Sequence, residues 1–244
     1  MKTSGNTILI TGGGSGIGLA LAELLLDRGN KVIICGRRRD RLQAAKRRLP
    51  GLNIHVCDIS RPRSRRGLVA WLTSEFKDLN ILVNNAGIQR PIDFLKGHHH
   101  LPDADEEVDT NLTAPIHLSA LLIPYLRRKK VAAIVNISSG LAFTPLAAVP
   151  VYCATKAAIH SLSLCLRFQL RATSVRVFEV APPMVATELS GRRHRPDEDE
   201  DIMSSQAVAT GIIDALKGDK YEVALGAAAH LRAQREGLFS AIND

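Results

Sequence analysis

Short, largely apolar runs alternate along this chain with longer segments whose apolar residues recur at helical spacing. The apolar runs lie within Asn6–Thr11, Lys31–Gly36, Asn53–Asp58, Asn80–Asn84, Val131–Ser138, Ser174–Ala181 and Tyr221–Leu225. Each has strand length and turn residues at its edges, which predicts seven strands. The segments between them predict helices: one from Ile17 to near Gly29, a basic one through Trp71 to Phe76, and others over Asp103–Arg128, Val151–Arg171 and Ser205–Lys217. Strands alternating with helices predict an α/β fold with a parallel sheet, whose ligand binds beyond the carboxyl ends of the strands. The length of 244 residues suits one such domain spanning 1–244. The tail from Gly226 has no clear pattern.

The turn after the first strand reads Gly12-Gly13-Gly14-Ser15-Gly16-Ile17-Gly18. Strand, glycine turn and helix in that order let a backbone approach a pyrophosphate, which the free N–H groups at the helix start, Ser15 to Gly18, then bind. A lone glycine run is often only a flexible turn, but this placement favours a nucleotide. The second strand ends at Gly36, followed by Arg37 and Arg38. An NAD-specific site usually has a carboxylate at that point for the adenosine ribose. Here nothing repels a 2′-phosphate and Arg37 can pair with it, so NADP(H) is preferred and NAD(H) is the alternative. Asp58 and Ile59 close the third strand, where the carboxylate is placed to accept from an adenine amino group. Asn84-Asn85-Ala86-Gly87 closes the fourth, with small residues allowing close approach of a cofactor.

Tyr152 and Lys156 lie four residues apart, on one face of a predicted helix. A phenol is a poor acid or base at neutral pH, and a lysine cation beside it favours the phenolate. Ser139, at the end of the fifth strand, is placed to meet Tyr152. Within the long helix, Pro115 has no N–H for the carbonyl of Asn111. That predicts a kink and a backbone oxygen able to hold a proton-relay water, or simply a tolerated kink. Apolar residues run almost all round the Tyr152 helix, which predicts burial on more than one side.

Charge changes the picture little. The net charge is +8, with 32 basic and 24 acidic residues. The basic groups are scattered and lack interleaved aromatics, so no nucleic-acid surface is expected. His98-His99-His100 cannot converge on one centre from a helix or strand, and no metal is expected. Cys35, Cys57, Cys153 and Cys165 read as buried free thiols in a reducing cytoplasm. No long apolar segment predicts a signal peptide or membrane span. The charged stretch over 182–205 reads as a substrate lid.

Taken together, Thr11-Gly12-x-x-x-Gly16-x-Gly18, Asp58, Asn84-Asn85-Ala86-Gly87, Asn111, Ser139 and Tyr152-x-x-x-Lys156 resemble the short-chain dehydrogenase/reductase family over nearly the whole chain. The resemblance implies a Rossmann-type doubly wound sheet of seven strands with helices on both faces, and hydride transfer between a nicotinamide and a carbonyl or alcohol. It implies that Tyr152 is the acid/base, that Ser139 polarises the substrate oxygen, that Lys156 binds the nicotinamide ribose and lowers the Tyr152 pKa, and that Asn111 holds the relay water. It puts Pro182, Val185 and Thr187 on the nicotinamide side and implies a homodimer or homotetramer. Two departures stand out. Pro182-Pro183 replaces the family's Pro-Gly, which removes a donor and stiffens the approach to the lid. Ser15 stands where members preferring NADP often have a basic residue. The Pro-Pro variant also resembles small oxidoreductases encoded beside teichoic-acid D-alanylation genes, which does not fix a substrate. The alternatives are a catalytically silent NADP(H)-binding regulator and a dehydratase or epimerase; the complete set of Asn111, Ser139, Tyr152 and Lys156 argues against the first, and length and glycine spacing against the second.

Overall fold

Apolar side chains on successive strand residues point to opposite faces, so a continuous apolar run needs a core on each side. Ile8 and Ile10 enter one core with Leu21 and Ile212, while Leu9 between them enters another with Leu118 and Leu122. A computed structural model of the chain describes residues 1–101, 104–187, 189 and 202–244. The strands are β1 (Thr7–Thr11), β2 (Lys31–Gly36), β3 (Asn53–Val56), β4 (Leu79–Asn84), β5 (Ala132–Ile137), β6 (Val175–Ala181) and β7 (Glu222–Ala224). They form one parallel sheet in the order β3-β2-β1-β4-β5-β6-β7. The order reverses between β1 and β4, which opens a crevice at their carboxyl ends.

Helices α1 (Gly16–Asp27) and α2 (Arg39–Arg48) cover one face of the sheet, and α3 (Pro62–Glu75) the other. The predicted helix over Asp103–Arg128 is not a single α-helix. It comprises α4 (Ala104–Val108), a π-helical turn (Asp109–Thr113) and α5 (Ala114–Leu126), the last on the same face as α3. The wider turn absorbs the irregularity at Pro115, which then sits in the first turn of α5, where a missing N–H costs little. After α6 (Pro150–Gln169), α7 (Ser205–Lys217) packs against α1. The unpatterned tail forms α8 (Ala227–Gln234), a 3₁₀ turn (Arg235–Leu238) and α9 (Phe239–Asn243). β3 stops at Val56, two residues short of the prediction, so Asp58 lies in the loop beyond it. No helix among the described residues is long and apolar enough to cross a membrane.

Candidate active site

The crevice starts at the glycine turn. Gly12 has φ +68°, and a Cβ there would lie 2.8 Å from the Ala86 Cα. A Cβ on Gly18 would lie 2.6 Å from Asn85 Nδ2. The turn therefore rests directly on the end of β4, and only glycine permits it. Thr11 fastens the two strand ends. Its hydroxyl accepts from the amides of Asn85 and Ala86 at 3.0 Å each, and Asn85 Nδ2 donates to the Thr11 carbonyl at 2.9 Å. Ser15 gives α1 no side-chain cap. The first N–H groups of α1, those of Gly16, Ile17 and Gly18, have no acceptor within the helix, the arrangement that suits a phosphate.

Arg38 Nη2 meets Ser15 Oγ at 3.3 Å, which brings the residue after β2 to the glycine turn. Arg37 pairs with Glu106 of α4, and Arg90 Nη2 binds the same carboxylate at 2.8 Å. The two guanidiniums, Arg90 foremost, hold Glu106 below the usual carboxylate range. Asp58 Oδ1 accepts from the Ser60 amide at 3.0 Å and its hydroxyl at 2.6 Å, and the Ile59 carbonyl accepts from buried Arg65 at 2.6 Å. Gly12, Ser15, Gly16, Ile17, Gly18, Arg37 and Arg38 thus lie along one mouth, with Asp58 and Ile59 beyond β3. A cradle that a Cβ would fill, an uncapped helix start and adjacent cations fit a dinucleotide.

The second half of the crevice lies at the ends of β4 and β5. Ser139 leaves β5 with its hydroxyl accepting from the Leu141 amide at 3.1 Å and near enough to Tyr152 to favour its ionised form. Proline at the N-terminus of α6 fits the helix start, and Tyr152, Lys156, Ile159 and Ser163 form its buried stripe. Lys156 Nζ donates to the Ile137 carbonyl at 2.8 Å and stands 5.5 Å from the Tyr152 ring centroid. Asn111 is almost fully buried. Its side chain clamps the backbone of Ile88, accepting from the amide at 2.9 Å and donating to the carbonyl at 2.8 Å, and also donates to Thr155 Oγ1 at 3.2 Å. A Cβ on Gly87 would lie 3.4 Å from Asn111 Oδ1 and 3.7 Å from Lys156 Nζ, so the end of β4 lies against both.

The expected lowering of the Tyr152 pKa is not what the protein alone produces. Burial pushes the phenol upward; the Ser139 hydroxyl opposes this, and Cys153 and Glu107 add to it. Burial also pushes Lys156 down to about 8, against the charges of Glu107 and Glu179. Desolvation outweighs the pairing that the spacing suggested.

Several functional neighbours escaped the sequence reading. Thr11 looks like a strand residue and Thr155 like a helix residue, yet each fixes a site backbone or side chain. Glu107 falls near the start of the predicted helix over Asp103–Arg128 and is 0% exposed. His160, Glu179 and Glu222 form a close polar group among the described residues, with Glu222 already paired to Arg232 at 2.7 Å. His98 and His99 lie on an exposed 3₁₀ turn. Cys165 is exposed, contrary to expectation, because it falls on the outer face of α6; the other three cysteines are buried. That outer face, including Ala154, Leu164 and Phe168, is also exposed in the single chain, so α6 is buried on one side rather than several. Beyond β6, the Pro182 carbonyl accepts from Gly140 at 2.9 Å, Val185 bridges to Met203, and the Thr187 methyl would lie 3.1 Å from a Cβ on Gly16. Of the expected lid over 182–205, residues 188 and 190–201 lie outside the described residues.

Residues 6–198 match the family model described as short chain dehydrogenase. The chain belongs to the short-chain dehydrogenase family. This short-chain dehydrogenase is 51% identical to the oxidoreductase DltE of Bacillus subtilis over 224 residues, covering 91% of this chain and 89% of that protein. It is 34% identical to the NADP-dependent 3-hydroxy acid dehydrogenase YdfG of Salmonella typhi, covering 79% of this chain and 78% of the other. Among solved structures, a short-chain dehydrogenase of Burkholderia cenocepacia in complex with NADP superimposes with TM-score 0.82 at 29% identity, covering 98% of this chain and 94% of that one. The protein is accordingly an oxidoreductase with a Rossmann-like sheet.

Proposed function

We propose that this short-chain dehydrogenase interconverts a carbonyl compound and an alcohol with NADP(H), and that Tyr152 is the acid/base. The reading rests on Tyr152 and Lys156 sharing one buried stripe of α6, with Lys156 Nζ bonded to the carbonyl of Ile137, two residues before Ser139. The nicotinamide, when bound, supplies or accepts the hydride. In reduction, Tyr152 and Ser139 donate hydrogen bonds to the carbonyl oxygen. As negative charge develops there, the Tyr152 O–H bond breaks and its proton completes the alcohol. Proton transfer by a positioned group contributes about 10²–10⁴-fold. Lys156 holds the ribose of the cofactor as well as the Ile137 carbonyl. Asn111 fixes the Gly87–Ile88 backbone at the π-helical turn, and its carbonyl holds the relay water. Pro182, Val185 and Thr187 border the nicotinamide, and 182–205 forms the lid.

The preference for NADP(H) over NAD(H) is supported by Arg37 and Arg38 following Gly36, with no carboxylate at the strand end. The names of related proteins that use or bind NADP agree with it. Leu141, Leu146 and Val149 pack around Tyr152 and Cys153 and give the pocket an apolar wall, which suits an uncharged carbonyl compound. One domain over 1–244 carries the activity in the cytoplasm, where the four cysteines stay thiols. The exposed apolar outer face of α6 supports a homodimer or homotetramer.

The test is NADPH and NADH consumption against aldehydes, ketones, diketones and quinones, with Tyr152→Phe as control. Turnover that prefers NADPH and disappears in the variant is expected. Undiminished turnover in Tyr152→Phe, with cofactor still bound, would overturn the assignment of Tyr152.

A further inference from the structure

Glu107 lies on α4, one helical turn before Asn111. Its side chain is 0% exposed, and neither carboxylate oxygen has a hydrogen-bond partner among the described residues. A buried carboxylate is normally paired or bonded, because an uncompensated charge loses its hydration. Among the described residues, the charged and titratable groups around this one are few. Arg90 contributes a backbone amide that approaches without closing a hydrogen bond, and a guanidinium already paired with Glu106. Helix α6, packed against α4, contributes Tyr152, Cys153 and Lys156. Glu179 on β6 faces Lys156 from another side.

Resting on the reading of Tyr152 as acid/base, we infer that Glu107 is a positioning residue for the Tyr152–Lys156 pair, whose negative charge keeps the proton on both groups and adapts the site to carbonyl reduction. A Lys156 cation alone favours the phenolate, the form needed to take a proton from an alcohol. An anion beside both groups cancels that push. It stabilises the Lys156 cation against burial and disfavours a second negative charge on Tyr152. Tyr152 then stays a phenol, the form that donates a proton to a reduced carbonyl. Burial pushes the Glu107 carboxyl up to about 7, so the anion is present above neutral pH, where it adds to the effect of burial on Tyr152. The equilibrium constant of the reaction is unaffected; what moves is the pH at which each direction is fastest.

The test is a titration that needs no substrate. Ionisation of Tyr152 is followed by ultraviolet difference absorbance with NADP⁺ bound, using Tyr152→Phe as the blank. In Glu107→Gln, which keeps shape and removes charge, phenolate should appear at lower pH. In Glu107→Asp, which restores the charge, it should move back toward wild type. With a substrate in hand, the oxidation rate at neutral pH should rise several-fold relative to reduction in Glu107→Gln, with the NADPH dissociation constant unchanged. If Glu107→Gln does not fold, Glu107→Met takes its place with the same expectation. Superimposed titrations of wild type and the neutral variant would overturn the inference, and so would a variant that lost only stability. Turnover persisting in Tyr152→Phe would instead sink the acid/base reading itself, so the two failures are distinguishable.

Discussion

Lys156 Nζ donates its 2.8 Å hydrogen bond to the carbonyl of Ile137, two residues before Ser139. The ammonium thus ties α6 to the end of β5 and sets the approach of Tyr152 to Ser139. Lys156→Met removes both the tie and the charge. Turnover should fall by at least about 100-fold, the lower end of what a positioned proton-transfer group supplies. Stability gives a second readout. Burial lowers the Lys156 pKa from 10.5 to about 8, so between those values the unfolded chain holds a proton that the native state has shed. Wild type should therefore gain stability relative to Lys156→Met as pH rises through that window. Urea denaturation of both proteins below pH 8 and near pH 10.5 checks it.

Arg37 and Arg38 follow a strand end that carries no carboxylate. The Arg37 side chain is 45% exposed and paired with Glu106, so a contact from it to a 2′-phosphate would be partly screened. Replacing both by alanine should weaken NADPH binding about 10-fold or more, from the loss of charge-assisted hydrogen bonds, while NADH binding changes little. Isothermal titration with the two cofactors, at low and high salt, measures the ratio; an equal loss for both would remove the phosphate assignment.

Gly18 has no room for a methyl group. Its Cβ would stand 2.6 Å from Asn85 Nδ2 and 2.7 Å from the Gly12 carbonyl. Gly18→Ala must push α1 away from the end of β4, at a cost of about 1–3 kcal/mol. Chemical denaturation should show the loss, and cofactor binding should weaken with it. Gly67→Ala, at a position with open space, is the control and should be close to neutral or stabilising.

Glu107 gives the opposite pH dependence to Lys156. Its carboxyl is raised from 4.5 to about 7, so within that window the native state holds a proton that the unfolded chain has lost. Stability falls as pH rises through the window, then levels off. Glu107→Gln should abolish this decline. Its unfolding free energy should exceed that of wild type above pH 7 and match it near pH 4.5, a difference on the order of 2 kcal/mol at the upper end. Parallel unfolding free energies across pH would contradict the buried charge.

What the sequence made legible depended on period and spacing. The sheet followed from apolar runs of strand length, and the glycine turn from its place between β1 and α1. The Tyr152–Lys156 pair on one face of a helix followed from spacing; that this face is buried did not follow from spacing alone. Long-range relationships were not legible. The predicted helix over Asp103–Arg128 gave no sign that Glu106 takes two guanidiniums at the crevice mouth while Glu107 is buried with no hydrogen-bond partner among the described residues. The irregularity at Pro115 was foreseen, but not its form: a π-helical turn places the proline at the start of α5 and leaves Asn111 to clamp Ile88. The direction of the Tyr152 shift was misread because spacing reveals a neighbouring cation and says nothing of burial, which is the larger effect.

The central claim is hydride transfer to a carbonyl carbon with the proton supplied by Tyr152. NADPH carrying deuterium at the transferable position, incubated with a carbonyl compound that the protein turns over, tests it most directly. The account predicts deuterium on the alcohol carbon in step with NADP⁺ formation, with incorporation nearly abolished in Tyr152→Phe while NADPH still binds. Alcohol formed without deuterium, or incorporation undiminished in Tyr152→Phe, would contradict it.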